Sequence, residues 1–491
     1  MSAIALLLLL TAPQTDAAAI DSPPADDADV SWSLVTINGN PIGYEFSQTD
    51  ETDAGSRFES VSLMSMKRFG QAFEMRMKMT FEEDADGRLT SFRMEQASPG
   101  QPPQVSSGTV DDGTMTVTTP SGAGAMTRTI ELDEDVLAPS AVEAVIRDAT
   151  PGPGEERTVK TFAIETLAPV TMTVTGLGPQ ETAGRDGKPL TLRGVRVTRS
   201  DMPLSPTYFL DEEGEVIKTE LGLMNMVAWK AGREEALAAA GGSDFDFGVR
   251  SLLRVPPSPG LEKKRSARYR VTGGELPQLP GVQSVTQRGD ALIVTVTTPD
   301  LGEASVSGED TTPPGNGEYL ASTRWVDWET PEVSALADRI DRSLPAGERA
   351  KAAEKLVRRS ITATSYGVGF ASAGETAKSK EGDCTEHGVL LCGVLRANGI
   401  PSRVAYGLVY VDSAAAMVPH MWTEAYLGDG WKPLDATRPG WPEAGYLKFG
   451  DSDLQSDAAL PATELIKLSQ GVDAMSVRVL ETSDTNLTPA E

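Results

Sequence analysis

Histidine and cysteine are almost missing from this chain: its 491 residues hold two of each. So few soft side chains leave room for one metal site, one disulfide or one nucleophilic site. Three of the four, Cys384, His387 and Cys392, fall within nine positions of one stretch, "EGDCTEHGVLLCGVLRANGIPSR". Positive charge is also short, 44 Lys and Arg against 71 Asp and Glu, a formal net charge of −27. That field repels phosphate backbones and anionic head groups, which argues against nucleic acid and membrane surfaces as partners and for solubility. Long apolar runs are missing too. Ile4 to Leu10 is far below the ~20 residues that span a bilayer, and no later stretch could span one. That run is followed by Pro13 and an A-x-A site, Ala17-Ala18-Ala19, so residues 1–19 read as a signal peptide. No Lys or Arg precedes the run, a departure from the usual pattern. The expectation is a secreted or periplasmic protein without an integral membrane segment in its mature chain. With no cysteine before Cys384, a lipid-anchor cysteine is not expected.

Two cysteines in an exported chain invite a disulfide. The spacing opposes it. Asp383 can cap a helix with Glu386 at its third position, and Gly399 and Pro401 stop that helix. Cys384 and Cys392 then stand about 12 Å apart along the axis, at ~1.5 Å per residue, whereas a disulfide needs Cα atoms within ~7 Å. Both thiols should be free, with Cys392 in the core.

The length predicts several domains. Residues 30–240 read as a β-rich domain, mostly antiparallel, with a meander and one helix, "APSAVEAVIRDA", against a face. Its clearest strand alternates Phe73, Met75, Met77, Met79 and Phe81 with polar residues. The methionine stripe could be a soft copper site, but phenylalanines continue it at both ends, so core is the better reading. "AAAGGSDFDFG" marks a boundary, and 245–312 reads as a small β module. An Arg-Gly-Asp tripeptide at 288–290 sits where a hairpin turn is expected. Residues 318–480 read as the domain that carries chemistry, and 481–491 as a disordered acidic tail. Within 318–480, a helix begins at Thr330-Pro331 and keeps its apolar spacing to Leu344. A second helix lies around "ERAKAAEKLVRRS". Overall the fold class is α+β, a helix packed on an antiparallel sheet preceded by antiparallel β regions.

The Cys384 helix is followed by strand 402–411 and by a hairpin, His420 to Tyr426 and Trp431 to Ala436. Cys384 opens the helix, where unpaired N–H groups and the positive dipole end favour thiolate and its own amide can serve an oxyanion. An imidazole can pair with that thiolate and protonate a leaving group, and a carboxylate behind the ring orients it. Strand alternation puts Asp435 on the face of His420 only for a hairpin loop of even length. Asp435 then lies opposite Trp422 and diagonal to His420, within side-chain reach. Trp422 shares that face and could shield an ion pair. His387, one helical turn beyond Cys384, competes with His420 as the base. A zinc site of Cys384, His387, Cys392 and His420 fails because the two cysteines stand two turns apart and are rotated some 80°.

The blocks "GDCTEHGVLLCGVLRANGIPSRVAYGLV", "HMWTEAYLGDGW" and "PLDAT", in that order, resemble the signature of the transglutaminase-like superfamily of papain-like thiol enzymes. The resemblance spans about residues 318–450. It implies a papain-like core with Cys384 as nucleophile, His420 as base and Asp435 as the orienting acid. It leaves His387, Trp422, Glu386 and Tyr366 to support the reacting groups or to bind substrate, with Tyr366 or Phe370 a candidate for the further oxyanion donor. It implies an exported acyl-transfer enzyme acting on peptide or amide bonds through a thioester, with hydrolysis favoured over transamidation. The substrate expected is a protein or peptide, a cell-envelope peptide among the candidates, and neither cofactor nor metal is expected. The competing reading is a non-catalytic peptide- or cell-wall-binding protein of the same fold.

Overall fold

Apolar alternation drives the first half of the chain into strands. In a computed structural model, Phe73, Met75, Met77, Met79 and Phe81 lie in β4 (Gln71–Asp84) and all are buried. The structure describes residues 30–490 except 98–103, 122–123, 149–150, 165, 202–203, 223–224, 240–242, 280–281, 299–316, 367–369, 429, 439–443 and 456–474. The expected signal peptide lies outside the described residues. The chain divides into two compact units, and the main change between them falls between Phe247 and Gly248.

In the first unit, β5 (Leu89–Ala97) returns against β4 with Phe92 across from Phe81 and Met94 across from Met79. Fifteen strands among the described residues, from β1 (Ser31–Ile37) to β15 (Met226–Lys230), form one sheet. The expected meander is in fact two, one outward from β1 and one outward from β15, joined by the antiparallel β1–β15 pair. Helix α1 (Pro139–Asp148) lays Val142, Val145 and Ile146 into the core that holds the β4 stripe. Removing that apolar surface from water, at ~25 cal/mol per Å², is the main force holding this layer.

The second unit begins with β16 (Leu253–Arg254), β17 (Ser266–Thr272), β18 (Gln283–Arg288) and β19 (Ala291–Thr297). Gly289-Asp290 of the Arg-Gly-Asp tripeptide makes the two-residue turn between β18 and β19, with Gly289 at φ 63° as such turns require. Four helices follow: α2 (Pro331–Ala337), α3 (Ala346–Ser360), α4 (Ala373–Ser379) and α5 (Cys384–Ala397). The expected first helix ends early, at Ala337, although Ile340 is still buried in a turn beyond it. Next come β20 (Ser402–Val411), β21 (Ala416–Tyr426), β22 (Trp431–Leu434) and β23 (Tyr446–Ser452). They form an antiparallel sheet in the order β16-β21-β20-β23, with β22 also on β21. α5 is apolar nearly all round, which suits a central helix. Val389, Leu391, Val394 and Leu395 share one core with Val404 and Met421 of the sheet and Val333, Ala353 and Ala373 of the other helices.

The regions expected as separate domains at 245–312 and 318–480 are one body in the described residues. β16 pairs with β21, and Tyr269, Val271 and Val294 share a core with Leu408, Tyr410 and Leu447. The expected tail from 481 is also corrected. Its first residues belong to β24 (Ser476–Ser483), which covers the edge of β17. Beyond that strand, Arg265 bonds Asn486 and Arg268 bonds the Thr488 carbonyl. An uncovered edge presents unpaired N–H and C=O groups, and this strand satisfies them.

Candidate active site

The α5 terminus is built by its own sequence. Asp383 Oδ1 accepts from Thr385 N at 2.8 Å, and Glu386 Oε2 accepts from Asp383 N at 2.9 Å, closing a capping box. Gly382 is required here, because a Cβ would come within 2.3 Å of the Glu386 Cβ. Glu386 is fully buried, and its Oε1 accepts from Ala371 N at 3.2 Å, tying the segment before α4 to this terminus. Burial, and then the charge of Asp383, push the Glu386 carboxyl well above the ordinary carboxylate range. Cys384 is free and half-buried, and its backbone N–H, first in the helix, has no helical acceptor. Cys392 is free as well, sealed in the core, with its thiol pushed up to about 11 by burial.

The imidazole comes from β21. That strand starts at Ala416, so His420 lies inside it rather than at its beginning. One edge of β21 pairs with β20 throughout, with Gly407 opposite His420. The other edge meets β16 at Ala416 and Met417 and β22 from Thr423 onward, so His420 sits in the gap between them. Tyr426 pairs with Trp431 across an even loop, 427–430, and Thr423 pairs with Leu434. One step further, this register sets Asp435 against Trp422, diagonal to His420, as the alternation requires.

The side chains meet. His420 Nε2 lies 2.8 Å from Asp435 Oδ2, and Cys384 stands close enough to the ring to raise its proton affinity. With Nε2 engaged by the carboxylate, Nδ1 is the ring nitrogen left for sulfur. Burial works against a charged ring, but Asp435, by charge and hydrogen bond, and then Cys384 outweigh it and hold His420 up at about 10. Asp435 is also buried, which alone would raise its pKa. His420, Thr437 and Tyr446 reverse this and hold the carboxyl well below the usual range. Its Oδ1 accepts from Thr437 N at 2.8 Å and Thr437 Oγ1 at 2.6 Å, and Oδ2 also accepts from the Tyr446 hydroxyl at 2.7 Å. A thiol at a helix mouth and an imidazole can exchange a proton, with the carboxylate fixing the ring's tautomer and orientation.

The other sequence candidates fall around this line. Trp422 is buried and stacks on His420 with centroids 6.4 Å apart, and Tyr446 meets Trp422 edge-on at 5.3 Å. His387 Nδ1 lies 2.6 Å from the Asp383 carbonyl oxygen, so its hydrogen bond goes to its own helix terminus rather than to Asp435. Burial lowers the His387 pKa. Tyr366 is half-buried, and the Ser365 N–H beside it approaches the Gly382 carbonyl at 3.5 Å. Phe370 is buried edge-on against Trp325 at 5.0 Å, a wall of the core without a donor to offer. No group of His, Cys, Asp and Glu among the described residues could hold a metal ion.

Sequence reasoning missed Tyr446 and Thr437. Thr437 was within reach, since a Thr two residues after an Asp is an Asx-turn pattern. Tyr446 carries no local signal, because β23 joins the site only through its pairing with β20, with Tyr446 opposite Val409. A bulge at Tyr406/Gly407 shapes that pairing, and a Cβ on Gly407 would come within 2.0 Å of the Leu447 carbonyl oxygen. Also missed was a buried charge cluster. Glu424 bonds Lys448 at 2.7 Å and Arg403 at 2.7 Å, and Asp451 bonds both cations at 2.8 Å.

Residues 334–436 match the family model of the transglutaminase-like superfamily, a span that includes Cys384, His420 and Asp435. No curated protein matches the sequence. Among solved structures, a candidate cysteine protease from Cytophaga hutchinsonii aligns at 15% identity and TM-score 0.29, covering 46% of this chain and 90% of that one. A β-barrel-like protein of a domain of unknown function from Brucella abortus aligns at 17% identity and TM-score 0.31, covering 41% and 94%. A candidate protease from Parabacteroides distasonis aligns at 12% identity and TM-score 0.19, covering 70% of this chain and 64% of that one.

Proposed function

Because residues 334–436 match the family model of the transglutaminase-like superfamily, we propose that this protein is an exported thiol enzyme transferring acyl groups from peptide or amide carbonyls through Cys384. The observation that carries the reading is the His420–Asp435 hydrogen bond, on a ring whose proton affinity Cys384 also raises. In this reading Cys384 Sγ attacks the carbonyl carbon, and the oxyanion is met by the Cys384 N–H at the helix mouth. His420 gives its proton to the leaving amine, the C–N bond breaks, and a thioester remains on Cys384. Asp435 keeps the ring in the tautomer that faces sulfur with Nδ1. Trp422 and Tyr446 cover the ring from water and so strengthen its pairing with the carboxylate.

Water resolving the thioester gives hydrolysis, which we favour over transamidation, and the substrate is a peptide outside the cytoplasm. The test is mass-spectrometric trapping of an acyl adduct from a peptide mixture, with Cys384→Ala as the blank. An adduct on Cys384 that is absent from the blank, with amine released and no labelled primary amine taken up, is the expected result. Uptake of the amine would replace hydrolysis by cross-linking. A native chain that never carries an acyl group would reduce the site to a binding fold.

A further inference from the structure

We propose that Arg358 is a positioning residue of this site, clamping the turn that carries Asp435 to helix α3. The inference rests on the reading of His420 and Asp435 as base and orienting acid for Cys384.

Asp435 stands just past the end of β22, beyond the last ladder pair, Thr423 with Leu434. The turn it opens is closed within itself. Thr437 N–H and Oγ1–H bond its carboxylate, and Arg438 N approaches its backbone carbonyl at 3.4 Å. Bonds of that kind shape the turn but do not tie it to the rest of the fold. Arg358 does, because its Nη1 donates to the Arg438 carbonyl at 2.9 Å across 80 residues of sequence. Two other ties act on the same turn. Ala436 is buried, and Arg438 meets Glu262 at 3.8 Å in a half-exposed pair, which water weakens.

Glu354, one turn earlier on α3, pairs with the same guanidinium nitrogen and holds it in place. An i,i+4 pair near a helix end is ordinarily a solvated surface contact. This one is not, since the Glu354 and Arg358 side chains are only 12% and 26% exposed. Burial pushes the Glu354 carboxyl up to about 7, Arg358 and Lys355 pull against it, and the charge of Asp435 adds to it. This end of α3 therefore lies within electrostatic range of the acid. α3 also buries Ala350, Ala353 and Val357 in the core it shares with Val389 and Leu391 of α5. Through Arg358 the acid's turn is tied to the helix layer that carries Cys384, while Tyr446 ties its carboxylate to the sheet. Two ties from different layers fix where Asp435 meets the ring.

The experiment uses the full chain. A proton held between an imidazole and a carboxylate resonates at low field, and the His420 Nε2–H signal is assigned by its absence from His420→Gln. Arg358→Met keeps the apolar stem and removes the donor. In that variant the signal should broaden or move upfield, and turnover of p-nitrophenyl acetate should fall about 10- to 100-fold, the cost of a slightly misplaced reacting group. Arg358→Ala should behave alike and regain both under millimolar guanidinium, which refills the place of the lost group. Variants that keep signal and turnover, whether or not they lose stability to urea, overturn the proposal, as does a loss that guanidinium leaves in place. If the native chain turned over no ester, the acyl-transfer reading would fall, and the signal alone would still decide whether Arg358 places Asp435.

Discussion

Tyr446 and His420 share one acceptor: both bond Asp435 Oδ2, at 2.7 and 2.8 Å, although they come from different strands of the sheet. Tyr446→Phe removes one of these bonds and leaves the ring in place. A hydrogen bond to a charged group is worth about 1.5–3 kcal/mol, so urea denaturation should report a loss of that size. An undiminished midpoint would show that the Tyr446 hydroxyl is replaced by solvent.

Asp435→Asn keeps the shape but offers His420 a neutral partner. Turnover of a peptide or ester substrate should fall roughly 10⁴-fold, as when an orienting carboxylate is lost from a triad. A loss of less than tenfold would mean that the carboxylate does not orient the ring.

The same pair predicts a pH dependence of stability. The His420 pKa rises from 6.5 to about 10 on folding. Its stabilisation is therefore complete below about 6.5 and is lost as pH rises through about 10. The Asp435 pKa is lowered instead, so its contribution holds above the ordinary carboxylate range and fades only in strong acid. Between pH 7 and 10.5 the native Tm should fall more steeply than that of Asp435→Asn. Parallel slopes would contradict the pairing.

Lys448 is buried between Glu424 and Asp451. Lys448→Met strands Glu424 beside Arg403 alone and should cost about 3–5 kcal/mol. Adding Glu424→Leu leaves Arg403 with Asp451, so the double variant should recover part of that loss. A double variant weaker than the single one would rule out a paired-charge account.

Iodoacetamide should separate the two thiols. Cys392, sealed in the core with its thiol pushed up to about 11, should stay unlabelled at neutral pH. Cys384, half-buried at the mouth of α5, should label in the native chain and more slowly in His420→Ala. Equal slow labelling of both would leave Cys384 an ordinary thiol.

Much of the site was legible because it is local. The capping box of Asp383 and Glu386 lies within one helical turn, and the hairpin parity that turns Asp435 toward His420 lies within sixteen residues. Strand 402–411 has the bounds its alternation predicts. Other features had no local trace. The helix from Pro331 keeps its apolar spacing past Ala337, yet the chain turns there and still buries Ile340. His387 could have reached Asp435 by spacing, and only the ring's orientation shows it bonded to the Asp383 carbonyl.

The residue order alone determined where the sulfur, the ring and the acid stand on their own elements, since caps and strand alternation act over a few residues. Only the tertiary structure decided what surrounds them. Tyr446 reaches Asp435 because β23 lies on β20, β16 meets β21 across more than 160 residues, and β24 closes the edge of β17. Such pairings gain their free energy from edges and apolar surface far apart in the chain, and short-range periodicity carries no record of those partners.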